Sequence, residues 1–106
     1  MLARRSSIAA LGGFDERYFL YWEDADLCRR LRNAGHTVRY VPSSVVTHTQ
    51  GVSSRGVPGL AIRAFHESAY RYYSIHVARN VLERAVAWTI LAVRSRWKLW
   101  VSGRQP

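Results

Sequence analysis

The chain has 106 residues, of which 48% are hydrophobic, and a formal net charge of +9, which is enough to build one core. A single cysteine, Cys28, excludes an intramolecular disulfide framework and fits a reducing compartment. The 16 Lys and Arg residues, fifteen of them Arg, raise the question of nucleic acid, but they are scattered and no helix-turn-helix, zinc-finger or RNA-binding signature accompanies them, so the expected partners include no nucleic acid and the charge suits an anionic membrane surface or a nucleotide diphosphate instead.

In chain order, the pattern predicts a short strand over 2–5, a brief helix from 6 or 7 to 11, and an aromatic loop from Gly12 to Trp22. No signal peptide is read at the start, because the apolar stretch after Arg4-Arg5 is too short. A principal helix is expected over about 23–34, ended by Gly35 in the position where a left-handed residue stops a helix. Residues 37–41 alternate and read as a strand stopped by Pro42, and the β-branched run 45–49 reads as a second extended piece. Residues 50–59, with three glycines, two serines and a proline, read as a loop. From Leu60 onward the pattern is helical, with one helix over 61–78 and a last one over about 81–101.

Five of the seven acidic residues fall between Asp15 and Asp26, and three of them open the principal helix. At about 100° per residue, Leu27, Cys28, Leu31 and Ala34 form an apolar face with Asp24 near its middle, so Asp24 is expected to point inward. Asp26 falls on the opposite side with Arg29, Arg30 and Asn33 and reads as a solvated helix residue, its ion pairs worth only about 0.2–0.5 kcal/mol each. Glu23 projects from the edge of the stripe. Its charge and that of Asp24 repel one another while the helix N-terminus favours both, and a carboxylate held at the lip of a core in this way is a candidate general base. The same residues also suit plain helix capping.

The run Gly12-Gly13-Phe14-Asp15-Glu16, then Tyr21-Trp22-Glu23-Asp24-Ala25-Asp26-Leu27-Cys28-Arg29-Arg30-Leu31, Gly35, Tyr40-Val41-Pro42, and Val46 with His48, preceded by Arg4-Arg5, resembles the C-terminal part of the catalytic domain of family 2 glycosyltransferases, especially the bacterial rhamnosyltransferase-like branch. The resemblance spans about residues 1–80. It implies an α/β fold, the C-terminal portion of a GT-A nucleotide-sugar transferase domain followed by C-terminal helices. The chain would then divide into an incomplete catalytic part over 1–59 and a helical extension over 60–106. It also implies inverting transfer of a sugar from a nucleotide-sugar donor to a hydroxyl of a saccharide or lipid-linked acceptor, in bacterial cell-surface polysaccharide synthesis, with Asp24 as the base that deprotonates the acceptor.

The leaving diphosphate would need a divalent cation, Mg or Mn, and His48 matches the histidine that completes the metal site in the resembled family. A histidine at a strand end is also a common structural residue. His36, His66 and His76 show no ligand spacing with it. On the resemblance, Gly13, Phe14, Asp15, Trp22 and Glu23 form the candidate substrate-binding set. The aromatics of this segment could line an acceptor sugar or plug the core: Phe14 and Phe19 fit the plug and Trp22 the acceptor contact. Asp15 could bind a sugar hydroxyl or cap its turn. The Asp-x-Asp motif that holds metal and diphosphate in the family has no counterpart, because the carboxylates of Asp24-Ala25-Asp26 point about 200° apart on a helix. A GT-A domain is roughly twice this length, so the chain reads as a fragment, inactive in isolation.

The last helix places Leu82, Val86, Ile90, Val93, Trp97 and Trp100 on one seam, with Arg84, Arg94 and Lys98 on another side. Its apolar run is too short to span a bilayer. The helix suits an anionic membrane interface or docking on protein, and placement in the cytoplasm at the inner membrane face follows from the first of these. The alternative function is a noncatalytic remnant that serves as a membrane- or protein-interaction module.

Overall fold

A computed structural model describes residues 1–47 and 57–103. Four helices carry the fold: α1 (Arg5–Ala10), α2 (Glu23–Asn33), α3 (Pro58–His76) and α4 (Val81–Ser102). The described residues contain no strand, which overturns the expected α/β class. A strand exists only as part of a hydrogen-bonded ladder, and residues 2–4, 37–41 and 45–47 have no neighbour among the described residues that supplies one. Tyr40 and Val45 stand 90% and 88% exposed. Alternation and β-branching describe a surface suited to a sheet, yet they cannot form one without a second strand. The remainder of the extended piece and most of the 50–59 loop lie outside the described residues.

The first two helices end in the same way. Gly12, at φ +75°, follows α1, with its N–H donating to the Ala9 carbonyl and that of Gly13 to Ile8. Gly35, at φ +82°, follows α2, with its N–H donating to Arg32 and that of His36 to Leu31. Both form the paired turn that satisfies the last carbonyls of a helix, and both need a residue that enters the left-handed region without steric cost.

Residues 58 and 59, expected in the loop, form the first turn of α3. Proline is tolerated there because its missing N–H would have no helical partner, and a side chain added at Gly59 would already meet Leu99 of α4 at 3.5 Å. A four-residue connection returns the chain into α4, whose start is capped by Asn80: its Oδ1 accepts the Glu83 N–H at 2.8 Å, while Glu83 Oε2 accepts the Arg79 N–H at 2.7 Å. Helices α3 and α4 pack as an antiparallel hairpin.

The core is small and sits where α2, the aromatic loop and α3 meet. Its buried apolar side chains are Leu27 and Leu31 of α2, Tyr18 of the loop, and Ala64 and Ala69 of α3. The loop is tied to α3 by Ser68 Oγ, which donates to the Leu20 carbonyl at 3.0 Å. Within this apolar patch lies one buried carboxylate, Asp26, only 1% exposed. Its Oδ2 accepts from Arg30 Nε at 2.7 Å, and its Oδ1 lies 2.6 Å from His76 Nε2 at the end of α3. A carboxylate engaged by a guanidinium acts as acceptor, so Nε2 carries the proton. The other two nitrogens of Arg30 donate to the carbonyls of Leu11 and Gly13 at 3.1 and 2.9 Å. One chain of charged hydrogen bonds therefore joins the turn after α1, the middle of α2 and the C-terminus of α3.

This arrangement reverses the expected helix phase. The stripe turned inward is Glu23, Asp26, Leu27, Arg30 and Leu31, whereas Asp24 and Ala34 are exposed and Cys28 is half-buried. Counting apolar residues alone centred the stripe on the line joining Asp24 to Leu31. The helix is rotated away from that line because Asp26 and Arg30 satisfy each other and reach polar groups on two other elements, so burying them leaves few charges unpaired. Replacing Asp26 with alanine should cost about 3–5 kcal/mol, the usual penalty for removing one member of a buried pair, read as a fall in the urea midpoint of unfolding. Asp24→Ala, on the exposed side of the same helix, should cost less than about 1 kcal/mol.

Candidate functional site

The segment entering α2 is strained. Tyr21 and Trp22 both adopt left-handed backbone, at φ +68° and +70°, in a region that costs a bulky L-residue roughly 1–3 kcal/mol. Trp22 occupies the N-cap position with no side-chain cap hydrogen bond, and the first turn is instead acidic, with Glu23, Asp24 and Asp26. Aromatic packing on α3 holds the strained pair in place. The Tyr21 ring meets Phe65 edge-on at 5.8 Å, and Trp22 lies 6.0 Å from Phe65 and 5.2 Å from Tyr72, within the range where such pairs are favourable.

Two polar atoms in this segment are buried without a hydrogen-bond partner, the donor Trp22 Nε1 and the acceptor Glu23 Oε2. Each orphaned group costs about 1–3 kcal/mol. The next residue, Asp24, stands in solvent at the helix N-terminus. Its Oδ1 accepts the Ala25 N–H at 2.7 Å, and Oδ2 enters no described hydrogen bond. Strain, orphaned polar atoms and an exposed carboxylate thus converge on four consecutive residues.

The other candidates are placed on two sides of α2. Gly13, at φ +83°, presents its carbonyl to Arg30, and Asp15 lies beside it. Both oxygens of Asp15 are taken up by Arg17, whose Nη2 reaches Oδ2 at 2.6 Å while its N–H and Nε reach Oδ1 at 3.0 and 2.9 Å. These hydrogen bonds from Arg17 lower the Asp15 pKa to about 2. Asp15 is therefore a turn lock, one of the two roles the sequence left open. Phe14 and Phe19 are 46% and 75% exposed, so neither is the core plug expected of them; Tyr18 is the aromatic that enters the core. His48 lies outside the described residues. Of the remaining histidines, His66 Nδ1 faces the Ile62 carbonyl at 2.7 Å and His76 belongs to Asp26.

The described residues do not build a site for the magnesium or manganese that the resemblance implies. No three carboxylate, imidazole or thiol side chains converge among them, and the buried Asp26 is already engaged by Arg30 and His76.

Over 70 residues, 66% of this chain and 23% of the relative, the sequence is 47% identical to N-acetylglucosaminyl-diphospho-decaprenol L-rhamnosyltransferase of Mycobacterium tuberculosis. The chain is thus similar over most of its length to rhamnosyltransferases and other glycosyltransferases. It is also 40% identical over 72 residues, 68% of its length and 27% of the relative's, to the rhamnosyltransferase WbbL of Escherichia coli K12. A pre-mycofactocin glycosyltransferase of Mycobacterium tuberculosis is 39% identical over 66 residues, 62% of this chain and 13% of that protein. The chain spans about a quarter of the length of the rhamnosyltransferases it matches. No family model and no solved structure matches it.

The hub around Asp26 was not legible as a site. The Asp26–Arg30 spacing of four was visible, but His76 lies 50 residues further on, in a helix that local periodicity cannot orient. Tyr18 closes the hub, its hydroxyl 3.4 Å from Asp26 Oδ1. Burial, reinforced by the charges of Asp26 and Asp15, pushes the Tyr18 phenol up to about 12. Because the folded pKa lies above the unfolded one, Tyr18 favours the fold fully below about pH 10, and that contribution is lost as the pH rises through about 12. Ultraviolet titration of the six tyrosines should show one phenolate forming late, and Tyr18→Phe should remove that last step.

Proposed function

We propose that the chain supplies the acceptor side of an inverting glycosyltransferase of bacterial cell-surface polysaccharide synthesis, forming part of a longer enzyme, with Asp24 as general base. The observation that carries the reading is the convergence at the entrance to α2, where left-handed Tyr21 and Trp22, the unpartnered Trp22 Nε1 and Glu23 Oε2, and the exposed Asp24 follow one another without interruption. A fold that needed only to start a helix here would relieve this strain with glycine and an ordinary cap.

In the proposed step, an acceptor hydroxyl hydrogen-bonds to Asp24 Oδ2. As its oxygen forms a bond to the anomeric carbon of the nucleotide-sugar, the proton passes to the carboxylate, and the bond to the diphosphate breaks with its electron pair. Attack from the face opposite the leaving group inverts the anomeric carbon, and one carboxylate suffices. The bond from Ala25 N–H to Oδ1 and the aromatic packing of Trp22 keep Asp24 in place. The name of the mycobacterial relative specifies a saccharide carried on diphospho-decaprenol, which supports a lipid-linked acceptor.

In the complete enzyme, Asp24→Asn should lower the rate of sugar transfer by at least about 100-fold, because the amide keeps the shape and loses the proton acceptor. Donor binding and the thermal midpoint should stay unchanged. Transfer within a few-fold of the parent enzyme, measured by product formation from a nucleotide-sugar, would remove Asp24 from this role.

A further inference from the structure

Helix α4 is amphipathic in the inverted sense. The side facing α3 carries Glu83, Ala87, Leu91, Ala92, Ser95 and Leu99, all half-buried, and no residue of the helix is fully buried. The side turned away from α3 carries most of the large apolar residues, Trp88 lying instead beside Ala92, Ser95 and Leu99. Leu82, Ile90, Val93 and Trp97 stand 73%, 61%, 63% and 56% exposed, with Val86 and Trp100 on the same seam. Near its N-terminal end this seam continues into a mostly apolar groove of about 590 Å³, lined by Trp22, Phe65, Tyr73, Leu82, Val86 and Ile90, with Glu83 and Arg94 the charged residues on its wall. Apolar surface of this extent marks an interaction site.

Charge identifies the occupant. On the helical wheel Arg94 and Arg96 fall on opposite flanks of the seam, and Lys98 places its ammonium 5.6 Å from the Trp97 ring. The sole acid of α4, Glu83, is consumed by the cap at the helix start. The outward face therefore combines aliphatic and indole side chains with a cationic border, its one nearby acid tied into the helix cap, on a chain of net charge +9. No described helix is long and apolar enough to cross a membrane, so the fit is to a surface and not to a span.

We propose that α4 lies in the interface of an anionic lipid bilayer, its Leu82–Trp100 seam among the upper acyl chains and Arg94, Arg96 and Lys98 at the headgroups. The proposal stands apart from the assignment of Asp24 and survives its failure. The test is co-sedimentation of the full chain with phosphatidylglycerol-containing vesicles and with pure phosphatidylcholine vesicles across a salt series, with tryptophan emission followed in parallel. The chain should pellet with the anionic vesicles at low salt, shift its emission to the blue, and be released by salt. Removing two cations in Arg94→Gln/Arg96→Gln should weaken partitioning about 30-fold, roughly five-fold for each charge near such a surface. The exposed apolar changes Val93→Ser/Trp97→Ser should abolish the blue shift while far-ultraviolet circular dichroism keeps the helix signal, and Asp24→Asn should bind as the parent does. The proposal is overturned if the chain ignores anionic vesicles at low salt, if it binds neutral vesicles equally well, or if the apolar variant binds like the parent. A dimer in sedimentation equilibrium that Val93→Ser/Trp97→Ser disperses, without vesicle binding, would assign the seam to a second copy of the chain.

Discussion

A single buried carboxylate organises this chain. Asp26 lies in a patch too small to bury it at no cost, since a carboxylate removed from water loses several kcal/mol of solvation that must be recovered from its partners. It recovers that loss from Arg30 on its own helix and His76 at the end of α3. Arg30 in turn uses its remaining nitrogens to fasten the carbonyls of the turn after α1. With so few fully buried apolar side chains, direction comes from these bonds: they fix the rotation of α2 about its axis and hence which of its carboxylates meets solvent.

That rotation creates the division of labour among the acids. Asp26 is spent on structure, Asp15 on its turn with Arg17, and Glu23 is half withdrawn with one oxygen unpartnered, which leaves Asp24 facing water at the positive end of the helix. The cost of presenting it falls on Tyr21 and Trp22, whose backbone would relax were it not for Phe65 and Tyr72 behind them. The exposed carboxylate and the rigidity behind it are thus supplied by different residues. The carboxylate projects from the start of α2, and the stiffness comes from aromatic rings on α3.

Features with a local cause were legible in the sequence. Gly35 ends α2 where a left-handed residue was expected, and the α3–α4 hairpin follows the helical periodicity of its segments. Features that depend on a distant partner were not. Among the described residues, the strands expected near Leu2, Tyr40 and Val46 lack the second strand that would make them strands, and Asp26 turned inward for the sake of a histidine 50 positions away. Hydrophobic periodicity weighs apolar side chains alone, so it placed Asp24 under the core and sent Asp26 to solvent. Of the candidate site residues, Trp22, Glu23 and Asp24 stand together at the start of α2, whereas Gly13 and Asp15 belong to the α1 side and His48 lies outside the described residues.

The distance along the chain between Asp26 and His76 has a consequence for how the fold is reached. Closing a loop of that length costs roughly 3 kcal/mol or more of chain entropy before the bond returns anything, while the turns after α1 and α2 and the α3–α4 hairpin close over a few residues each. The local pieces are therefore free to form first, and until α3 docks, Asp26 keeps its water. The interaction that orients the finished molecule is one that the folding chain makes late.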